Sequence, residues 1–333
     1  MNSQRIYYLD VLKIIATLGV ICIHTSSKEL YTEFISYNWY LSAIFDGFAR
    51  WSVPIFVMVS GALFLNPQKE ISIKRLITKN ISRLLIIYLL WWILYSVLNT
   101  VWGLIFDNTF VFTIKKPSYH LWFLPMLIGV YFLIPILREI ATDKKLTLYY
   151  LTIWFIYISG GFAFTKDIPQ ISGLFSINSI IGYSGYFLLG YFISTYSISK
   201  KQSRIIYLLG FLGLLMTILG CILHSIYLGE TCFKFFEYLS PNTILVSTAL
   251  FVFIKEKSII LSHRGPNFIN NIRKDLFGIY LIHPAYLLIF NHDMFMNLCN
   301  HIITIPACII VVFTFSLYTT KLLRLTPIRK IVE

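Results

Sequence analysis

The chain has little charge for its length. Only 13% of its 333 residues are Asp, Glu, Lys or Arg, whereas a soluble domain carries about 25%. Hydrophobic residues make up 57% of the sequence, and the mean hydropathy is +0.73. No long polar stretch separates the apolar runs, which excludes an ordinary soluble enzyme. We therefore expect an all-α polytopic membrane protein, formed as a single domain over residues 1–333 with no appended soluble domain.

Cysteine and the common catalytic signatures are also scarce. The five cysteines have no metal-like spacing, and HExxH, CxxC, GxSxG and Walker patterns do not occur in the sequence. We accordingly predict no metal site. Cys232 and Cys299 fall in predicted outer loops and could pair, but unpaired thiols are the favoured interpretation.

The apolar runs predict about ten transmembrane helices. Their approximate bounds are 7–25, 41–65, 84–106, 121–137, 147–163, 177–195, 205–226, 241–254, 276–291 and 301–322. The net charge of +13 could suggest a nucleic-acid partner. However, the bases lie in short loops at alternate ends of these runs, and most fall on one side if both termini are cytoplasmic. The charge therefore indicates membrane orientation instead of nucleic-acid binding.

The first run carries a polar stripe. At about 100° per residue, Asp10, Thr17 and His24 fall within a narrow arc of one helix, and Lys13 lies beside them. Lys13 and His24 are separated by about 16 Å along the axis, roughly half of a ~30 Å hydrocarbon core. A charge at this depth costs at least ~2.5–3.5 kcal/mol unless it faces protein or water. The stripe therefore predicts one wall of an intramembrane polar chamber.

Each member of this stripe allows two interpretations. Asp10 and Lys13 are three residues apart and can pair on a helix, but Lys13 could equally be an orientation anchor that reaches the inner interface. His24 is the best candidate for chemistry, because histidine titrates near neutral pH and can accept a proton from a hydroxyl group. It could instead cap the helix at the water interface.

Arg50 lies well inside the second predicted span. An arginine at this depth needs a carboxylate, a phosphate or water. Asp46 is one helical turn earlier and could simply pair with it, so a functional role and a structural role both stay open. Pro54 can kink this span, and Gly61 can allow another backbone to approach closely.

The inner loop 66–83 is rich in bases. Lys74, Arg75, Lys79 and Arg83 could hold a phosphorylated cytosolic ligand, although the same charges could serve only to orient the protein. Their roughly helical spacing also allows an amphipathic helix on the anionic inner leaflet.

Two further histidines are candidates for the polar chamber. His120 begins the fourth predicted span, where an interfacial histidine is the alternative to a site residue. His283 precedes Pro284, which breaks the helical hydrogen bonding. A packed histidine at a kink is the alternative there.

Seven stretches together resemble the acyltransferase 3 family of bacterial integral-membrane acyltransferases. They are LDVLKIIATLGVICIH, RWSVPIFVMVSGALFL, SRLLIIYLLWW, HLWFLPMLIGVYFLIPIL, GYFLLGYFIS, FGIYLIHP and TPIRKIV. They occur in the family's order and cover nearly the whole chain. The RWSVPIF and HLWFL forms are most similar to the branch that O-acetylates surface glycans such as enterobacterial common antigen.

This resemblance implies ten transmembrane helices in the bacterial cytoplasmic membrane and a cytoplasmic acyl-CoA donor, usually acetyl-CoA. The acceptor it implies is a hydroxyl of a cell-envelope glycan or a lipid-linked sugar. The family's essential first-helix histidine corresponds to His24. The arginine that often precedes it by eleven residues is Lys13 here, which keeps the charge but lacks the bidentate fork. The family's bases after the second helix, linked to CoA binding, correspond loosely to Arg75 and Arg83.

Two functions of different classes follow. In the first, an acyl-CoA-dependent O-acyltransferase, His24 is the general base on an acceptor hydroxyl, or less favourably carries the acyl group itself. Lys13 and Arg50 would orient the donor and offset charge on the oxyanion, and Asp10, His120 and His283 would complete the substrate site. The alternative is a transporter or flippase of a lipid-linked glycan or small polar solute, although the sequence shows no repeated halves.

Overall fold

The computed structural model describes residues 7–32, 34–67, 69–106, 117–164, 176–257, 266–290, 293–296 and 299–332. In these ranges every regular element is helical, so the all-α prediction is confirmed for them. The helices are α1 Tyr7–Ser26, α2 Tyr37–Ala49, α3 Ser52–Phe64, α4 Ile73–Arg75, α5 Ser82–Phe106, α6 Phe123–Phe132, α7 Ile134–Thr142, α8 Lys144–Phe164, α9 Ile177–Thr195, α10 Lys200–Leu228, α11 Pro241–Glu256, α12 Pro266–Ile272, α13 Leu276–Phe290, α14 Asp293–Met296 and α15 His301–Arg324. Short 3₁₀ turns lie at Ser27–Tyr31, Lys234–Phe236 and Pro327–Ile331, and a π-helical segment covers Leu76–Ile81.

Several helices are apolar and long enough to cross a membrane. The described residues contain seven such spans, or eight if α6 and α7 form one bent span. The sequence predicted about ten. The difference arises because α13 has only 15 residues and because Asn, Ser and Gly residues lower the mean hydropathy of α9. The orientation of the two termini stays a prediction.

Helices α3 and α9 form the centre of the largest hydrophobic core. They approach so closely that a Cβ atom on Gly61 would lie 1.7 Å from the carbonyl oxygen of Phe187. In the same way, a Cβ atom on Gly190 would lie 2.0 Å from the carbonyl oxygen of Met58. The close backbone approach predicted at Gly61 is therefore confirmed, and it is the small-residue packing that membrane helices use.

Two of the predicted spans are broken at prolines. The run 41–65 is divided into α2 and α3, because Pro54 has no N–H to donate to the carbonyl of Arg50 one turn earlier. The run 121–137 bends by 57° between α6 and α7, where Pro135 lies in the first turn of α7. Both predicted spans therefore consist of two helices, and the first break places Arg50 at a helix end.

The basic loop is more helical than the sequence suggested. The Ser72 hydroxyl accepts a hydrogen bond from the Arg75 backbone N–H at 3.2 Å and caps the start of α4. From there the chain continues through the π-helical segment into α5. Residues 73–81 thus extend the third span instead of forming a separate surface helix. The four-residue spacing places Arg75, Lys79 and Arg83 along one side of this extension.

Arg138 fixes the segment that leads into this extension. Its guanidinium donates to the carbonyl oxygens of Phe64 at 2.7 Å, Asn66 at 3.2 Å and Lys69 at 2.8 Å. The Phe64 carbonyl lies at the C-terminal end of α3, where helical partners are missing, and the other two lie in the connection that follows. One cation of α7 therefore holds the connection between α3 and α4.

The cysteines are free thiols. The Cys232 backbone N–H donates to the Ser225 hydroxyl at 2.8 Å, and Cys299 is exposed. The possible Cys232–Cys299 disulfide is therefore wrong, and the favoured interpretation of unpaired thiols is confirmed.

Candidate active site

Three histidines from distant parts of the sequence meet in one cluster. His24 lies near the end of α1, His120 precedes α6, and His283 lies within α13. The ring centroid of His283 is 5.5 Å from that of His24 and 5.7 Å from that of His120. His120 is 2% exposed and His283 is fully buried. The structure thus brings together the three histidines that the sequence singled out.

Tyrosines surround this histidine cluster. The Tyr119 ring lies 4.7 Å from His24, and the Tyr95 ring lies 4.9 Å from His120. The Tyr280 hydroxyl donates to the backbone carbonyl of His120 at 2.7 Å, and the Tyr95 hydroxyl donates to a carbonyl of α13 at 2.7 Å. These bonds tie α5, α13 and the segment before α6 together around the imidazoles. Sequence reasoning missed Tyr95 and Tyr280, because nothing distinguishes them among 22 tyrosines.

The tautomer of His283 follows from its backbone partner. Its Nδ1 lies 2.7 Å from the carbonyl oxygen of Tyr280, and a carbonyl can only accept, so Nδ1 carries the proton. That carbonyl is available because Pro284, one turn later, has no N–H to donate to it. The Nε2 atom therefore keeps a lone pair. Within the described ranges this buried Nε2 has no hydrogen-bond partner.

A cavity of about 490 Å³ lies beside Lys13, which precedes His24 by eleven residues along α1. Its lining includes six basic residues from three separate segments, and none of the described lining residues is acidic. The six are Lys13, Arg75, Lys79, Arg83, Arg273 and Lys274. Arg75 and Arg83 are exposed, so the basic end of the cavity is open. Lys13, Arg75 and Arg83 were predicted as donor-binding residues, and the structure brings these three together.

The cavity and the histidine cluster share one wall. Phe123 and Tyr280 line the cavity, and their ring centroids are 5.7 Å apart. The ring centroid of Tyr280 is also 5.7 Å from that of His120 and 6.2 Å from that of His283. The Tyr280 side chain thus contacts both the basic cavity and the imidazoles.

The two charged residues of the first helix are paired. The Lys13 ammonium lies 3.5 Å from a carboxylate oxygen of Asp10, as the sequence allowed. Lys13 lines the cavity, whereas Asp10 is buried outside the lining. The structure thus places Asp10 where it can position Lys13, and away from direct contact with a cavity ligand.

Arg50 has the structural partner that the sequence offered as an alternative. Its Nε forms an ion pair with the carboxylate of Asp46, which is 0% exposed. The guanidinium also lies 4.7 Å from the Phe236 ring centroid and 5.6 Å from that of Tyr238. Arg50 is outside the cavity lining. Its surroundings show pairing of a buried charge, and they do not join it to the basic cavity.

Arg273 and Lys274 are the charged lining residues that sequence reasoning did not select. They occur in the short connection before α13 and were counted only as orientation charges. The sequence alone showed that Arg273 and Lys274 directly precede the span that carries His283. Their convergence with Arg75 and Arg83, almost 200 positions earlier in the chain, depends on tertiary packing.

The described residues contain no group of three His, Cys, Asp or Glu side chains placed to hold a metal ion. In comparisons with known proteins, a family model described as an acyltransferase domain matches residues 6–321. This match includes the histidine cluster and the basic cavity. Among curated proteins none matches the chain, and among solved structures none does.

Proposed function

The chain belongs to the acyltransferase 3 family and is a membrane acyltransferase, and from this premise we propose an acyl-CoA-dependent O-acyltransferase. It moves an acyl group, which we take to be acetyl, from cytoplasmic acyl-CoA to a hydroxyl of a cell-envelope glycan. The location that fits this activity is the bacterial cytoplasmic membrane.

The basic cavity is the observation that carries the proposal. Acyl-CoA combines several phosphates with a long arm that ends in a thioester. The six cations of the lining, of which Lys13 is paired with Asp10, complement the phosphates. The arm would then run past Phe123 and Tyr280 toward the histidine cluster, which places the thioester next to a candidate base.

The reaction needs one proton to move twice. His24 accepts the proton of the acceptor hydroxyl as its oxygen attacks the thioester carbonyl carbon. The C–O bond forms, the C–S bond breaks, and His24 returns the proton to the CoA sulfur. Lys13, held by Asp10 at 3.5 Å, offsets negative charge on the donor side of this reaction.

Ligand-dependent unfolding tests the donor. Acetyl-CoA at 100 times its Kd should stabilise the detergent-purified protein by about 2.7 kcal/mol. Loss of one charge-assisted contact costs roughly 1.5–3 kcal/mol, so Arg83→Ala should raise the Kd by about 10- to 150-fold. At the same acetyl-CoA concentration the stabilisation should then fall from about 2.7 to roughly 0.3–1.4 kcal/mol, so about half or more of the shift in midpoint should disappear. Free CoA should stabilise the wild-type protein, since the phosphates supply the recognition.

Two matched variants sharpen this experiment. Arg204→Ala removes the same charge from an exposed position of α10 outside the cavity lining, and it should keep the full shift. His24→Ala should also keep the shift but lose acetyl transfer to envelope acceptors. A wild-type protein that responds to no acyl-CoA would contradict the proposal and favour a transporter or flippase of a lipid-linked glycan.

A further inference from the structure

His283 is buried beside the proposed base, with a proton on Nδ1 and a lone pair on Nε2. We propose that His283 is a positioning residue: its Nε2 accepts the ring N–H of His24 and leaves the other nitrogen of His24 facing the acceptor hydroxyl. This inference rests on the proposed function and deepens it.

A neutral imidazole that acts as a base has one nitrogen with a lone pair and one N–H. The N–H must have an acceptor, or the ring can turn and present the wrong nitrogen. A fixed acceptor therefore selects both the tautomer and the orientation of the base. When the base becomes an imidazolium during the reaction, the same acceptor stabilises the added charge.

The geometry of His283 meets these requirements. The Tyr280 carbonyl holds its Nδ1 proton at 2.7 Å, so Nε2 can only accept. Its ring and that of His24 are nearly parallel, at 20°, with centroids 5.5 Å apart. This separation exceeds the ~3.5–4.0 Å of faces in direct contact, so the rings are displaced and not stacked face to face. The bond that we propose forms when rotation of the side chains brings the two nitrogens into hydrogen-bond range, as catalytic contacts often tighten when substrate binds.

The backbone encodes this arrangement through Pro284. An ordinary residue at 284 would donate its N–H to the Tyr280 carbonyl and compete with the imidazole for it. The proline removes that competitor, so the sequence His283-Pro284 sets the tautomer from within one turn of α13.

Steady-state acetyl transfer by the full-length purified protein tests the proposal. His283→Leu removes the acceptor, and we expect kcat to fall by roughly 10²-fold or more. The KM for acetyl-CoA and the thermal shift that acetyl-CoA causes should stay within about twofold, because His283 is outside the cavity lining. His283→Gln offers an amide oxygen and should recover at least about tenfold of the lost kcat.

Two more variants separate positioning from packing. Pro284→Ala keeps both histidines and should lower kcat with an unchanged KM. This variant still tests the positioning role of His283 if His283→Leu does not fold. His301→Leu, at a histidine that is also buried (1% exposed) but lies at the start of α15, should retain kcat.

Wild-type kcat in Pro284→Ala or His283→Leu would overturn the inference, as would equal losses in the leucine and glutamine variants. A wild-type protein without acetyl transfer would instead refute the proposed function, so the two failures are distinguishable.

Discussion

Replacing Arg50 by leucine should destabilise the protein strongly. The change leaves the Asp46 carboxylate buried without its cation, and removing one partner of a buried pair typically costs about 3–5 kcal/mol. The interactions with Phe236 and Tyr238, each worth about 0.5–2 kcal/mol, are lost as well. In contrast, Asp46→Asn keeps both aromatic contacts and an oxygen near the guanidinium, so it should cost less than Arg50→Leu.

A double-mutant cycle measures this pair directly. The double variant Asp46→Asn with Arg50→Leu removes both charges of the ion pair, so it should regain most of the stability lost in Arg50→Leu. Thermal unfolding in detergent should show a midpoint lower by roughly 5 °C or more for Arg50→Leu, and a coupling energy of at least ~1 kcal/mol across the cycle. Additive effects of the two changes, or a midpoint unchanged by Arg50→Leu, would refute the argument that pairing holds this arginine in place.

Three other changes should have separable effects. Gly190→Ala should prevent stable packing of α3 on α9, whereas Gly160→Ala, with nothing within 4 Å of its added Cβ, should leave the yield of folded protein from size-exclusion chromatography unchanged. Arg138→Gln should weaken acetyl-CoA binding several-fold in calorimetry, because it loosens the segment before α4. Lys255→Met should lower the unfolding midpoint, since this ammonium caps α9 through three carbonyls, and Lys257→Met at an exposed position should not.

The helical period predicted which polar residues of α1 lie on one side of the helix. Asp10, Lys13 and His24 were selected from their spacing, and the structure places Lys13 in the basic cavity and His24 in the histidine cluster. The period could not show that the two regions share Tyr280. Nor could the period assign Arg273 to the basic cavity. A base beside a span sets the orientation of the protein in most membrane proteins, and only tertiary contacts reveal which bases converge.

The shape of the predicted spans was harder to derive than their position. Hydropathy measures the length of an apolar run and not whether the run is one straight helix. Pro54 and Pro135 were visible in the sequence, and the break beside the first was anticipated as a kink. The 57° bend between α6 and α7 depends on how the freed carbonyls are accommodated by neighbouring helices. Local sequence does not contain that information.

The basic cavity also has a consequence for the protein without donor. Like charges repel one another, and six bases line one cavity of about 490 Å³. The empty protein should therefore collect counterions. Phosphate in the buffer or anionic lipid headgroups would relieve this repulsion, so the proposed donor, acetyl-CoA, would bind in competition with them. Membrane composition would then set how much donor the enzyme needs.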